Sequence, residues 1–318
     1  MTMKLLITRP MTAAVAERAR AEFDAEIRSK TSVLSREEML SALRDYDLVV
    51  PTLGDMFGAD IFAEAGKARC KLLANFGVGY NHIDVAAAQA AGIQVSNTPG
   101  AVTDATADIA VTLILMSARR AGEGERMLRS GAWEGWHPTQ MLGLHVTGKK
   151  LGILGFGRIG QAIARRCHFG FGMEVFYTAR SDKEAGFPAR RMPDLVAMAR
   201  EVDFLVVAVP GGAETRHLVN APVLTAMQPS AHLINIARGE VVEQSALIAA
   251  LQAGEIAGAG LDVYEFEPEV PEALIAMENV TLLPHLGTAT EEVRSSMGHM
   301  ALDNVAAFLA GKDLPNPV

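Results

Sequence analysis

Residues 149–180 read KKLGILGFGRIGQAIARRCHFGFGMEVFYTAR, and this stretch decides the fold. The apolar run 151–154 predicts a buried strand, an amphipathic pattern after it predicts a helix, and 174–177 predicts a second strand. Three glycines stand between the first strand and the helix at G-x-G-x-x-G spacing: Gly155, Gly157 and Gly160. A strand, a Gly-rich turn, a helix and a second strand within about 30 residues is the arrangement that holds a dinucleotide.

Each glycine has a physical reason in that arrangement. The first allows a sharp turn, the second lets the backbone approach a pyrophosphate, and the third lets the helix pack on the strand. The helix directs its N–H groups and its positive dipole end at the phosphates. The residues predicted to bind the cofactor here are Gly155, Gly157, Arg158, Ile159 and Gly160. Taken alone, the motif is also compatible with a plain Gly-rich turn.

Composition and length narrow the class of protein. The chain has 318 residues, of which 49% are hydrophobic and 21% charged, as in globular proteins of about two domains. Its net charge of −8 argues against a nucleic-acid partner. No apolar run reaches the roughly 18 residues that a membrane span needs. Cys70 and Cys167 lie far apart without metal-ligand spacing, which favours buried thiols and a cytoplasmic location.

Predicted strands and helices alternate before and after the Gly-rich turn, which indicates parallel α/β sheets. We predict two doubly wound parallel-sheet domains of the α/β class. A Rossmann cofactor domain, 100–287, is inserted into a flavodoxin-like substrate domain, 1–99 plus 288–318. The break at 97–100 precedes a long apolar helix that begins near Thr103, and we predict that the Gly-rich segment 121–148 is irregular.

Three side chains at predicted strand ends could carry chemistry, because open α/β sheets bind ligands at the carboxyl ends of their strands. Arg238 lies in INIARGE, just after a predicted strand, and its planar cation suits a carboxylate. His285 closes TLLPH and could give a proton to a ketone oxygen as hydride arrives. Glu267, in DVYEFEPEV, could orient that imidazole. The alternatives are a surface ion pair, a capping histidine and a solvated acid.

Other strand ends are candidates for contacts with the cofactor. Asp262 could bind the ribose or the nicotinamide side, and a structural turn acid is the alternative. The full set predicted to bind the cofactor at these strand ends is Val209, Pro210, Ala237, Asp262 and Gly287.

The segment NFGVGYNHID in the first domain could bind an anion. The backbone N–H groups of Gly77, Val78 and Gly79 are predicted to form a nest for a substrate carboxylate. His82 and Asp84 could instead join His285 in a metal site. We predict no metal, since an aspartate in the position of Asp84 more often caps a helix.

The end of the second strand bears on the choice of nicotinamide. An NAD site usually places an acid there, about 20 residues past the Gly-rich turn. This chain has Thr178, Ala179 and Arg180 at that position, followed by Ser181, and Asp182 comes later in the loop. Arg180 and Ser181 could hold a 2′-phosphate. We therefore predict that NADP is preferred and that NAD is possible, with Thr178 also contacting the cofactor.

Four motifs, in this order, resemble those of the D-isomer-specific 2-hydroxyacid dehydrogenases: GFGRIG, INIARGE, GLDVYEFEP and LLPHLGTAT. Three further segments are similar to the glyoxylate/hydroxypyruvate reductase branch: NTPGAVTDATADIAVTLIL, GAWEGWHP and YTAR. The resemblance covers essentially the whole chain. It implies that Arg238 binds the substrate carboxylate and carbonyl, that His285 is the acid/base, and that Glu267 is its partner.

The same resemblance implies a homodimer, built around the helix and arm at 100–148, with the active site in a cleft between the domains. It also implies that a tryptophan of the arm reaches the neighbour's active site. Trp136 is the stronger candidate and Trp133 the weaker, and a packed aromatic of the dimer arm is the alternative.

The predicted function is NAD(P)H-dependent reduction of small 2-oxo acids, glyoxylate and hydroxypyruvate, to D-2-hydroxy acids. A dehydrogenase for another or bulkier acid, of the D-phosphoglycerate or phenylpyruvate type, is the alternative within the class. A dinucleotide-sensing module that has lost its chemistry and a metal hydrolase are the alternatives outside it.

Overall fold

The computed structural model describes residues 3–318, which form two compact units. One unit is the chain up to Val102 together with Ala289–Val318, and the other is Thr103–Thr288. Assigning substrate to the first unit and cofactor to the second stays a prediction. Over the described residues, no helix combines the length and the apolar character that a membrane span requires.

The first unit is built on a parallel sheet. Its elements are β1 (Lys4–Ile7), α1 (Ala13–Glu22), β2 (Asp24–Ile27), α2 (Arg36–Asp45), β3 (Leu48–Val50), α3 (Ala59–Ala65), β4 (Leu72–Ala74), α4 (Val85–Ala90) and β5 (Gln94–Ser96). The order β2-β1-β3-β4-β5 is the flavodoxin-like order of doubly wound sheets. Its inner strands are apolar and buried, as strands covered on both faces must be.

Local signals explain where the helices of this unit begin. The Ser35 hydroxyl accepts from the Glu38 N–H at 3.2 Å, and the Glu38 carboxylate accepts from the Ser35 N–H at 2.9 Å. This reciprocal pair is a capping box, so the start of α2 follows from the sequence. Asp84 likewise caps α4, accepting from the Ala87 N–H at 2.9 Å.

The second unit is built on a second parallel sheet. Its elements are α5 (Thr103–Ala118), α6 (Ala121–Arg129), β6 (Lys150–Leu154), α7 (Arg158–Phe171), β7 (Glu174–Thr178), β8 (Ala189–Arg191), α8 (Leu195–Glu201), β9 (Phe204–Val207), α9 (Ala221–Ala226), β10 (His232–Asn235), a 3-10 turn (Gly239–Val241), α10 (Gln244–Gln252), β11 (Gly258–Leu261), α11 (Glu272–Ile275) and β12 (Val280–Leu282). The order β12-β11-β10-β9-β6-β7-β8 contains the Rossmann order, with one strand added at the β12 edge. The prediction of two parallel α/β domains is confirmed.

The last helix, α12 (Glu291–Leu309), returns to the first unit. It packs on α1 and β4, and a Cβ on Gly298 would lie 2.6 Å from the Val15 side chain. The chain therefore covers its first sheet with α12 only after it has formed the second sheet.

The prediction that 121–148 is wholly irregular is wrong, because α6 occupies its first third. Two glycines obscured the helical pattern, but ion pairs on the helix surface support it. Arg120 pairs with Glu123 at 2.6 Å, and Arg129 pairs with Glu125. No residue of α6 is buried in the described chain.

Candidate active site

The Gly-rich turn has the geometry that a bound dinucleotide needs. Gly155 has a φ of +98°, and a Cβ there would lie 2.6 Å from the Ala208 carbonyl oxygen. A Cβ on Gly160 would lie 2.1 Å from the Gly155 carbonyl oxygen, so this glycine lets α7 approach the turn. A Cβ on Gly157 would meet nothing within 4 Å, so the backbone is open there. Gly157 caps α7, and Arg158 and Ile159 are its first residues. An open backbone before a helix N-terminus fits a pyrophosphate.

The end of β7 carries a cation and hydroxyls, and the next acid along the sequence is paired with a second cation. Arg180 is 95% exposed and lies 4.0 Å from Glu214. Ser181 is also exposed. The Thr178 hydroxyl donates to the Met192 carbonyl oxygen at 3.1 Å, so it is already engaged with the backbone. The Asp182 carboxylate pairs with Arg191 at 3.1 Å.

His285 and Glu267 form a direct pair at the carboxyl edge of the second sheet. The Nδ1 atom of His285 lies 2.9 Å from Oε2 of Glu267, and the other carboxylate oxygen accepts from the Tyr264 N–H at 3.0 Å. His285 has a φ of 55°, which turns the chain sharply after β12. Burial raises the pKa of Glu267, but His285, the Tyr264 N–H and the charge of Arg238 outweigh it, so the pKa lies below its ordinary value.

Arg238 lies beside the same loop. It directly precedes the 3-10 turn after β10, is half-buried, and donates from Nη1 to the Ala237 carbonyl oxygen at 2.7 Å. Burial lowers the pKa of Arg238, while the charges of Glu267 and Glu240 raise it. The structure therefore brings Arg238, Glu267 and His285 together within one unit.

Gly239 explains how the Arg238 segment reaches the loop of Glu267. A Cβ on Gly239 would lie 1.8 Å from the carbonyl carbon of Tyr264. Only a glycine lets these two backbone segments touch, so the position of Arg238 depends on the loop 264–267.

Asp262 supports the turn that carries His285. It is 1% exposed, and its carboxylate accepts from the N–H groups of Leu286 at 2.6 Å and Gly287 at 2.8 Å. Burial raises the pKa of Asp262, and the two N–H groups oppose part of that shift. The carbonyl oxygen of Gly287 accepts from the Thr106 hydroxyl at 3.2 Å. The structural role of Asp262 is thus evident, and its contact with a cofactor stays a prediction.

Glu265 is a functional candidate that the sequence analysis missed. Its carboxylate is only 7% exposed and accepts from Nε2 of His217 at 2.7 Å and from Arg216 at 3.2 Å. It also accepts from the Gln244 N–H at 3.3 Å. These bonds fix Glu265, which lies two residues before Glu267 in the same loop. Glu265 stands among several acids in YEFEPE, so its burial could not be recognised from sequence.

The loop 75–79 of the first unit differs from the nest that the sequence predicts. The Gly77 N–H donates to the Asn75 carbonyl oxygen at 3.1 Å, so it does not face an anion. The side-chain amide of Asn75 donates to the carbonyl oxygens of Gly77 at 3.0 Å and Gly79 at 3.1 Å. Asn97 donates to that of Val78 at 2.9 Å. Within residues 3–318, these bonds leave the N–H groups of Val78 and Gly79 unengaged.

The remaining predicted residues take ordinary positions in the second unit. Val209 and Pro210 follow β9, and the Pro210 carbonyl oxygen accepts from the Thr215 hydroxyl at 2.7 Å. Ala237 follows β10, and its N–H donates to Oδ1 of Asn235 at 3.1 Å. The two tryptophans lie in the irregular segment after α6, where Trp136 is 79% exposed and Trp133 is 49% exposed.

His82 and Asp84 have structural contacts in the first unit. His82 is buried there, and its Nε2 lies 2.9 Å from Oδ1 of Asn75. Since Asp84 caps α4, both residues have structural roles there.

Comparisons with known proteins show the family of the chain. The model of the D-isomer specific 2-hydroxyacid dehydrogenase NAD-binding domain matches residues 111–287. A glyoxylate reductase of Thermococcus kodakarensis is 44% identical over 99% of this chain and 96% of its own. One of Thermococcus onnurineus is 43% identical over 99% and 95%.

A solved structure gives the same result. The NADPH-dependent glyoxylate/hydroxypyruvate reductase of Sinorhizobium meliloti, in complex with NADP and malonate, is 38% identical and superposes with a TM-score of 0.87. The match covers 100% of this chain and 97% of that one. The chain therefore belongs to the D-isomer specific 2-hydroxyacid dehydrogenases, NAD(P)-dependent oxidoreductases, as its motifs predict.

Proposed function

We propose that the protein reduces glyoxylate, hydroxypyruvate and similar small 2-oxo acids to D-2-hydroxy acids. The observation that carries this function is the 2.9 Å contact between His285 and Glu267, beside Arg238 and at the carboxyl edge of the sheet that bears the Gly-rich turn. The relatives named glyoxylate reductase support the choice of a small substrate.

Each of the three side chains has a proposed role in this reaction. A bound nicotinamide supplies the hydride that goes to C2 of the 2-oxo acid. Arg238 binds the carboxylate and the carbonyl oxygen, which becomes negative during the transfer. Because Nδ1 of His285 faces Glu267, its Nε2 is the atom that gives a proton to that oxygen. Glu267 fixes the orientation of the ring through this contact.

The loop 77–79 is proposed to bind a carboxylate through the N–H groups of Val78 and Gly79. Support comes from the amides of Asn75 and Asn97, which hold the three carbonyl oxygens of the loop. A carboxylate would then meet N–H groups without competition from those oxygens.

NADPH is the proposed cofactor, with NADH used less well. The sequence 178–181 carries no acid, and Arg180 is exposed at the end of β7. Arg180 and Ser181 are the groups that would hold a 2′-phosphate. The relative solved with NADP is described as NADPH-dependent, which supports the same choice.

We also propose a homodimer in the cytoplasm. α6 buries no residue within the described chain, and Leu128, Trp136 and Leu142 are exposed in or after it. Such a concentration of apolar surface is typical of a subunit interface. Light scattering during gel filtration tests it, since a molar mass near one chain would contradict the dimer.

The function is tested by a spectrophotometric panel of 2-oxo acids from glyoxylate to phenylpyruvate, run with NADPH and with NADH. We expect the highest kcat/KM for the small acids with NADPH. His285→Asn should abolish turnover while NADPH binding persists, and His145→Asn, at an exposed histidine, should change neither. Oxidation of neither cofactor by any acid, or full turnover of His285→Asn, would contradict the proposal.

A further inference from the structure

Arg191 is the last residue of β8, the edge strand that pairs with β7. Its guanidinium faces the turn that leaves β7. Nε and Nη2 donate to the Ala179 carbonyl oxygen at 3.2 and 2.9 Å, and Nη2 also donates to that of Arg180 at 3.3 Å. Nη1 lies 3.1 Å from Oδ1 of Asp182. One cation thus binds three of the four residues from 179 to 182.

This contact changes the electrostatics of the turn in two ways. It pairs the one carboxylate between 178 and 182 with a positive charge, so that this carboxylate opposes a nearby anion less. It also directs two backbone carbonyl oxygens, which would repel a phosphate, toward the guanidinium. Both effects favour an anion at the exposed residues Arg180 and Ser181.

We propose that Arg191 is a positioning residue that gives the protein its preference for a 2′-phosphorylated adenosine. The proposal rests on the NADPH preference proposed above and adds a determinant to it. Arg191 acts through the turn, by holding Asp182 and the carbonyl oxygens of 179 and 180 away from the phosphate. Sequence motifs for cofactor choice stop at the end of β7, Thr178, about 13 residues before this arginine.

The experiment measures binding of two adenosine nucleotides to the protein without any reaction. Isothermal titration compares adenosine 2′,5′-bisphosphate with adenosine 5′-monophosphate for the wild type and Arg191→Gln. We expect the wild type to bind the bisphosphate more tightly. Arg191→Gln should weaken bisphosphate binding by about tenfold and leave the monophosphate unchanged, since a charge-assisted contact changes affinity on that scale. The NADPH-to-NADH ratio of kcat/KM should fall by a similar factor, through KM rather than kcat.

Arg190→Gln is the matched control. Arg190 is the preceding residue of β8, but its guanidinium lies over the Phe176 ring and 3.9 Å from Glu201, outside the turn. This variant should bind both nucleotides as the wild type does. Adding Asp182→Asn to Arg191→Gln should restore part of the lost bisphosphate affinity, because the released carboxylate is then neutral.

The outcomes separate this proposal from the one on which it rests. A wild type that binds both nucleotides equally would overturn the NADPH preference and the role of Arg191 with it. A discriminating wild type with an unchanged Arg191→Gln variant would overturn the role of Arg191 alone. Equal weakening of both nucleotides would also overturn it, since it would indicate general disorder of the sheet edge. No recovery in the double variant would overturn the part assigned to Asp182.

Discussion

The backbone N–H of His285 donates to the carbonyl oxygen of Asp262 at 2.9 Å, so a residue at the end of β11 fixes the histidine that follows the neighbouring strand. The carboxylate of Asp262 binds the next two N–H groups as well. Asp262 therefore fixes the backbone of His285, and Glu267 fixes its imidazole.

Asp262→Asn should misplace His285, because an amide nitrogen cannot accept the bond that one carboxylate oxygen now accepts. We expect kcat to fall on the order of a hundredfold, the scale on which small displacements of reacting groups act. Asp194→Asn is the control, since Asp194 also accepts from two N–H groups, at the start of α8. It should lower Tm and leave kcat unchanged, and an equal loss of kcat in both variants would contradict the role of Asp262.

Glu267→Gln should lower kcat by on the order of a hundredfold or more, because the imidazole loses the charge that orients it. NADPH affinity, measured by fluorescence titration, should not change. Full turnover of the variant would contradict the role of Glu267 in orienting the imidazole of His285.

The depressed pKa of Glu267 also predicts the sign of a pH effect on stability. Its stabilising contribution is complete above its ordinary pKa of 4.5 and is lost as the pH falls through the lower value in the folded protein. The difference in unfolding free energy between the wild type and Glu267→Gln should therefore shrink below pH 4.5. A difference that grows on acidification would contradict the sign of this shift.

His232 makes stability depend on pH through a different cause. It is buried, stacks on Phe204 and lies 2.7 Å from the Ser117 hydroxyl, and burial lowers its pKa from 6.5 to about 4. The unfolded chain therefore takes up a proton between these values that the folded protein does not. Stability should fall with acidification over this interval, by about 3 kcal/mol from this residue.

The measurement is the unfolding free energy in urea at several pH values between 4 and 6.5. His232→Asn should show a smaller slope against pH than the wild type. Ser117→Ala should keep the slope while lowering overall stability, because it removes the hydrogen bond and leaves the buried imidazole. Equal slopes in the wild type and His232→Asn would contradict the prediction.

Alanine at Gly157 should affect cofactor affinity, whereas alanine at Gly160 should affect stability. Gly157→Ala places a methyl group in open space, so we expect Tm to change by no more than about 2 °C and NADPH affinity to fall. Gly160→Ala places it against a backbone oxygen, so we expect Tm to fall by several degrees. Calorimetry and fluorescence titration measure the two effects. Unchanged cofactor affinity in Gly157→Ala would contradict the assigned role of the turn.

Much of this architecture could be predicted because apolar runs and caps are local signals. The strands of the two sheet interiors are continuous apolar segments, and Ser35 with Glu38 marks the start of α2. β2 (DAEI) and β8 (ARR) carry no such signal, since these edge strands alternate or expose polar residues and form only through pairing with a distant neighbour.

The residues of the candidate site also fall into those that the sequence predicts and those that it does not. Arg238, Glu267 and His285 could be predicted because parallel strands deliver their ends to one edge of a sheet. Asn75, Glu265 and Arg191 could not, because each acts on a loop through backbone atoms or through a buried pair. Contacts of that kind leave no spacing pattern in the sequence.

The position of Arg191 on β8 has a consequence for cofactor engineering. A graft that exchanges only 178–182 between two such enzymes would transfer the loop proposed to hold the 2′-phosphate, but not Arg191, which binds that loop. The transplanted segment has to extend through residue 191, so that donor loop and donor strand are exchanged as one cassette.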